Sequence, residues 1–175
     1  MHRDPPTPSL DETARLFNQI HGQIIVEIGS GVHGPMAGNS VLTWVTKTQA
    51  KRIITVDLDE TRIREVKEAT ARYENVEAIV AEGIQYLEDF SSTIDLLYLD
   101  FWTPDLEGTL PGTGRAEAYR RAFAAARGKL NRQSLILIDD TDHIHPWKDT
   151  YIVPEARKDG FVVVFVGRQT LLMRK

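Results

Sequence analysis

The sequence predicts an α/β fold, a mostly parallel sheet covered by helices on both faces. Three observations carry the prediction. Short apolar runs such as Leu96-Leu97-Tyr98-Leu99 are nearly continuous, as in strands buried on both faces. Stretches with helical spacing separate these runs, the pattern of an α/β chain. Ile24 to Asp57 reads strand, glycine-rich turn, helix, strand, acid, the order of a mononucleotide-binding β-α-β unit.

The elements follow in order. Residues 1–10 hold three of the eight prolines and read as an extended arm. Ser9 followed by Asp11 and Glu12 marks a helix start, with Ala14, Leu16, Phe17 and Ile20 as its apolar face and Gly22 as its end. Ile24-Ile25-Val26 is the first strand, stopping at Glu27 and breaking into Gly29, Ser30, Gly31 and Gly34. Gly38-Asn39-Ser40 opens the next helix, where Val41, Leu42, Trp44 and Val45 face the sheet. Ile53 to Val56 is the second strand and ends at Asp57. Glu60 to Tyr73 carries a helical period, Val76 to Val80 a third strand, and Ile84 to Phe90 a short helix. Ile94 to Leu99 is the fourth strand. After the glycine-rich segment Trp102 to Gly114, Arg115 to Leu130 is the clearest helix in the chain. Ser134 to Ile138 is a fifth strand, and a short helix spans Val153 to Lys158. The tail from Phe161 is two apolar runs about a Gly167-Arg168-Gln169 turn, an antiparallel hairpin. An N-terminal arm and helix (1–22) therefore precede one domain (23–175).

Composition narrows the function classes. At 175 residues the chain suits one domain with a sizeable core, and 42% apolar with 26% charged residues is ordinary for a globular protein. A formal net charge of −4 carries no nucleic-acid footprint, so nucleic acid is not the expected partner. With no cysteine, neither disulfides nor thiolate metal sites are available. No membrane span or secretory signal is visible, and a cytoplasmic location follows by default.

Five apolar runs precede an acid: Glu27, Asp57, Glu82, Asp100 and Asp139. The carboxyl ends of strands form the ligand-binding edge of an open α/β sheet. Any one of these acids could merely cap a helix, but the set marks a site. The glycines admit backbone N–H groups to a ligand, and Asp57 can accept hydrogen bonds from both hydroxyls of a ribose.

At this point the chain, over about residues 23–175, resembles the class I S-adenosylmethionine-dependent methyltransferases. The family's acid-x-glycine-x-glycine motif matches Glu27-Ile28-Gly29-Ser30-Gly31, its ribose-binding acid Asp57, and its adenine-contacting acid Glu82-Gly83. Ile94 to Asp100 matches the fourth-strand motif, and the terminal strand pair the family's antiparallel close. The resemblance implies a three-layer α/β/α Rossmann-like fold with a mostly parallel seven-stranded sheet and a C-terminal antiparallel hairpin. It implies S-adenosylmethionine as cofactor, contacted by Glu27, Gly29, Ser30, Gly31, Asp57, Leu58, Glu82, Gly83, Ile84 and Asp100. His33 would sit beside the cofactor.

Asp100, Asp139 and Asp140 resemble the divalent-metal ligands of catechol- and caffeoyl-type O-methyltransferases. Carboxylate oxygens at one edge suit Mg²⁺ or a similar metal, which would orient an acceptor and lower a hydroxyl pKa. Asp142, His143 and His145 lie close enough in sequence to join a softer site. Without metal, His143 or His145 offers a general base. The expected catalytic residues are thus Asp100, Asp139 and His143, and the expected acceptor is a small molecule, with a preference for a hydroxyl. Trp102 either stacks on an aromatic substrate or closes the core. Tyr98 and Trp44 belong to the core; Arg120, Arg121 and Arg127 form a solvated helix face. Few residues precede the first strand, so the site is open, lidded by a short loop, or completed by a partner such as a second copy. Two alternatives stand beside this reading. An NAD-dependent oxidoreductase would use the Gly29 to Gly34 segment as G-x-G-x-x-G, although Glu27 would crowd the pyrophosphate. A non-catalytic subunit would bind the adenosyl cofactor without turnover.

Overall fold

The computed structural model describes residues 6–31, 39–105 and 107–175. His33, Gly34 and Gly38 of the sequence reading, and the start of the N-terminal arm, lie outside them.

Seven strands form one sheet: β1 (Ile24–Ile28), β2 (Arg52–Asp57), β3 (Val76–Val80), β4 (Ile94–Leu99), β5 (Leu130–Ile138), β6 (Phe161–Val166) and β7 (Thr170–Arg174). Their order is β3-β2-β1-β4-β5-β7-β6. The first five pair in parallel, and β7 runs antiparallel to both β5 and β6. This is the mostly parallel, three-layer arrangement with a terminal hairpin that the sequence predicts.

The strands supply two cores by simple alternation. Val26, Ile28, Leu97, Leu99, Ile136 and Ile138 face α4 (Gly83–Asp89), α5 (Thr113–Ala126) and α6 (Ile152–Lys158), packing against Leu87, Phe123 and Ile152. Ile25, Leu96, Tyr98, Leu135 and Leu137 face the other way. They meet Leu10 and Phe17 of α1 (Thr7–Gln19), Val41 and Trp44 of α2 (Ser40–Lys47), and Val66 of α3 (Glu60–Ala69).

Several boundaries differ from the sequence reading, these three among them. Helix α1 begins at Thr7 rather than near Ser9, because Pro8 is tolerated in a first turn that has no N–H partner to lose. Ser9 is therefore inside the helix, buried, donating to the Pro6 carbonyl at 2.9 Å and to Gln169. Helix α5 stops at Ala126 and passes through a 3₁₀ turn, Arg127–Lys129, so Leu130 opens β5 instead of closing the helix. Strand β5 starts earlier than Ser134, with a register shift against β4 that the polar Asn131-Arg132-Gln133 hides in the sequence. The segment before α5 is tied down by Asp105, whose carboxylate accepts from the Gly112 N–H at 2.8 Å and pairs with Arg115 at 3.0 Å.

Strand order reverses between β1 and β4, since β2 and β3 lie on one side and β5 on the other. A crevice opens there beyond the carboxyl ends, the usual ligand position in such sheets.

Candidate functional site

At the crevice, Gly29 has φ +93°, and a Cβ on it would collide with the Asp100 carbonyl of the neighbouring strand. Only glycine lets β1 turn this close to β4. Asp57 braces the same turn. One carboxylate oxygen accepts from the Ser30 N–H at 2.9 Å and the other from the Asp59 N–H at 2.9 Å, with the Arg62 guanidinium 3.7 Å away. Glu82 caps α4 by accepting from the Gln85 N–H at 2.6 Å.

A cavity of about 520 Å³ lies at this edge. Its lining includes Gly29, Asp57, Leu58, Glu82, Gly83 and Ile84, together with Phe101 to Pro104. A second, polar cavity of about 230 Å³ adjoins it through Arg62, Phe101 and Trp102, and is lined by Ser30, Gly31, Ser40 and Asp100 among others. Nine of the ten residues expected to contact cofactor thus border these two spaces.

The tenth, Glu27, does not. It is fully buried, accepting from Ser40 Oγ at 2.7 Å and Trp44 Nε1 at 2.9 Å. Burial pushes its carboxyl up to about 7, against the pull of these two hydrogen bonds and with added repulsion from Asp57 and Asp139. The sequence reading aims Glu27 at charged groups of the cofactor; here α2 encloses it, and Ser40 is the residue of that pair that borders the cavity. Trp44 is core as expected, yet its indole N–H has this specific partner.

The far wall of the polar cavity gathers Asp100, Asp139 and Asp140, whose oxygens come within 4.8 Å of one another. Two cations that the sequence reading passed over close on them. Lys148 Nζ lies 3.7 Å from Asp100 and 3.4 Å from Asp140. Arg168 Nε lies 3.2 Å from Asp140, and its Nη2 3.9 Å from Asp139. Gln169, fully buried, donates to Asp139 and, at 3.0 Å, to the Tyr98 hydroxyl, which donates to Asp100 at 3.3 Å. Asp140 holds φ +54°, a left-handed conformation that aspartate tolerates better than most residues. Burial, then the charge of Asp139, raises Asp100 well above the usual carboxylate range, although Lys148 opposes this. Burial and then the charge of Asp140 raise Asp139 as well. The pair therefore takes up a proton more readily than isolated carboxylates do.

His143 stands apart from this group. It is exposed, stacks on Trp147 with ring centroids 4.3 Å apart, and lines a different, apolar hollow with Leu110, Ile144 and Pro146. His145 faces Thr150 at 3.0 Å and Asp149 at 3.5 Å. Among the described residues, the Asp142, His143 and His145 set does not assemble as a ligand group; only the three aspartates do. Trp102 is 70% exposed, which removes the core alternative and leaves it on the rim of both cavities. Of the arginines read as a solvated face, Arg120 and Arg127 pair with Glu117 and Asp159, while Arg121 borders the larger of the two cavities. Lys148, Arg168 and Gln169 could have been suspected only from their polarity beside apolar runs, a weak signal for a lysine in a loop and for two residues in a hairpin turn.

Neither a known protein family profile nor a curated protein matches the sequence. Solved structures do match. A candidate O-methyltransferase from Klebsiella pneumoniae superposes with a TM-score of 0.68 at 15% identity, over 100% of this chain and 83% of that one. A methyltransferase from Podospora anserina with S-adenosylhomocysteine bound gives 0.65 at 20% identity, over 95% and 76%. A candidate rRNA methylase from Clostridium thermocellum gives 0.63 at 12% identity, over 99% and 97%. At these identities the likeness is one of fold: the chain has the Rossmann-like fold of the class I methyltransferases. The acceptors named for these structures differ, so the fold alone does not choose one. Among the described residues no helix is long and apolar enough to cross a membrane.

Proposed function

We propose that this protein is an S-adenosylmethionine-dependent methyltransferase acting on a small molecule through a hydroxyl oxygen. The observation that carries the reading is the glycine-turned crevice between β1 and β4, bordered by Asp57 and Glu82-Gly83-Ile84. Its surroundings fit the cofactor chemically. Asp57 would accept from ribose hydroxyls, using lone pairs beyond those engaged by Ser30 and Asp59, since a carboxylate offers about four. Leu58, Ile84 and Phe101 would give the adenine an apolar border. S-adenosylmethionine supplies an electrophilic methyl group on a positively charged sulfur, which becomes a neutral thioether as the carbon–sulfur electron pair returns to it.

This chain's residues must then position the acceptor and receive its proton. The polar cavity adjoining the crevice is the space for both tasks. Asp100 stands there with 31% of its side chain exposed, and its raised pKa makes its ionised form a stronger base than an ordinary carboxylate. Asp100 is thus the group to accept the hydroxyl proton as the new carbon–oxygen bond forms, with Asp139 sharing the charge. His143, outside that cavity, takes no part. Trp102, exposed on the rim of both cavities, favours an acceptor with an apolar portion. A net charge of −4 disfavours a nucleic-acid acceptor.

Calorimetric titration with S-adenosylmethionine, S-adenosylhomocysteine and NAD tests the reading. The two adenosyl-sulfur ligands should bind and NAD should not, and Asp57→Ala should weaken binding by about tenfold or more, the worth of a charged hydrogen bond. Binding of NAD alone would replace this reading with an oxidoreductase. Binding without methyl transfer to any hydroxyl acceptor would favour a non-catalytic subunit.

A further inference from the structure

The three aspartates invite a divalent metal, and their oxygen donors are of the right kind. Their surroundings do not fit one. A metal shared by Asp100, Asp139 and Asp140 would have to stand among their oxygens, about 2.1 Å from each for magnesium. Lys148 already directs its ammonium to Asp100 and Asp140, and Arg168 its guanidinium to Asp140 and Asp139. Each carboxylate therefore faces a cation within 4 Å. Neither cation is a loose surface group. The Lys148 side chain is only 6% exposed, and its ammonium lies 5.3 Å from the centre of the buried Tyr119 ring. Arg168 is 16% exposed and springs from the β6–β7 turn, whose backbone is fixed by the Thr141 N–H donating to the Arg168 carbonyl at 2.7 Å. Gln169 and Tyr98 engage further oxygens of Asp139 and Asp100.

We propose that Lys148, seconded by Arg168, holds the position among Asp100, Asp139 and Asp140 that a divalent metal would otherwise take, so that this acceptor cavity works without metal. A metal entering the group would meet two fixed positive charges and would have to displace Lys148 from a buried seat. The ammonium can donate hydrogen bonds to an acceptor oxygen. It cannot chelate two adjacent oxygens as a metal does, so the cavity has no built-in demand for a vicinal diol. The acceptor consequence rests on the methyltransferase reading, whereas the cation arrangement does not.

Mn²⁺ binding, followed by the electron paramagnetic resonance of the free ion, tests this with the full chain. Wild type should bind no Mn²⁺ up to about 1 mM, the weak end of protein sites for hard cations. Lys148→Met keeps a long side chain against Tyr119 but removes the charge, and should tighten Mn²⁺ binding by at least about tenfold. Lys148→Arg should stay metal-free. One Mn²⁺ bound per wild-type chain and lost in Asp139→Asn would overturn the proposal, as would a folded Lys148→Met variant that gains no affinity. If Lys148→Met does not fold, the wild-type titration decides by itself. Calorimetry with S-adenosylhomocysteine on the same samples separates the questions, because its failure would remove the methyltransferase reading and leave the Mn²⁺ result standing.

Discussion

Replacing Glu27 by glutamine should make the protein more stable at high pH, an uncommon outcome for a change at a hydrogen-bonded core residue. Glu27 is fully buried, and its carboxyl is raised from the ordinary 4.5 to about 7. The folded protein therefore holds this proton more tightly than the unfolded chain does. Its stabilising effect is present in full below pH 4.5 and is lost as pH rises through about 7. At about 1.4 kcal/mol per pH unit the full loss is roughly 3 kcal/mol. That is a large part of a typical net stability of about 5–15 kcal/mol. Glutamine imitates the protonated acid: its carbonyl can accept from Trp44 Nε1, and its amide can donate to Ser40 Oγ, which turns from donor to acceptor. Urea unfolding of both proteins from about pH 5 to about pH 9, without ligand, gives the comparison. The difference between them removes most of the titration of Asp100 and Asp139, leaving the repulsion between Glu27 and Asp139 as part of the Glu27 effect. About 2.5 kcal/mol of the loss falls between about pH 5 and about pH 9. With a urea slope of about 2 kcal/mol per molar, the wild-type midpoint should therefore fall relative to the variant by about 1.3 M across that range. A difference that does not change with pH would refute the reasoning, because Glu27 would then ionise as freely in the fold as in water.

Two further outcomes follow from the same packing. Gln169→Leu should cost about 2–3 kcal/mol in urea unfolding, because it strips Asp139 and Ser9 of a buried partner while filling similar space; a change under about 0.5 kcal/mol would show that the network is not formed. Trp102→Ala should leave stability within about 0.5 kcal/mol, as its ring is 70% exposed, yet weaken S-adenosylhomocysteine by several fold, since the ring borders both cavities. Unchanged affinity would move the ligand away from that rim.

Much of this molecule is written in local sequence. Apolar runs such as Ile94 to Leu99 are strands because they are short, continuous and closed by an acid, and burial on two faces leaves no other use for them. Gly29 is readable for a similar reason, because a strand that must turn against its neighbour has only one residue that fits. Six predicted cofactor contacts, from Gly29 to Ile84, line one cavity since the end of a parallel strand fixes where its next residues point. The acids Asp100, Asp139 and Asp140 also follow from strand ends, and they meet as expected.

What surrounds those acids was decided only by tertiary structure. Lys148 comes from a loop after β5, and Arg168 and Gln169 come from the turn before β7. No spacing in the chain links either to Asp100, and only the antiparallel insertion of β7 beside β5 brings the turn to the site. Glu27 carries the same lesson in reverse. Its motif marks it as a ligand-facing acid, but strand alternation puts it on the α2 side, where Ser40 and Trp44 enclose it. Sequence determined which residues end each strand, because that depends on near neighbours. The charge balance of the cavity depends on groups far apart in the chain, and packing alone determined it.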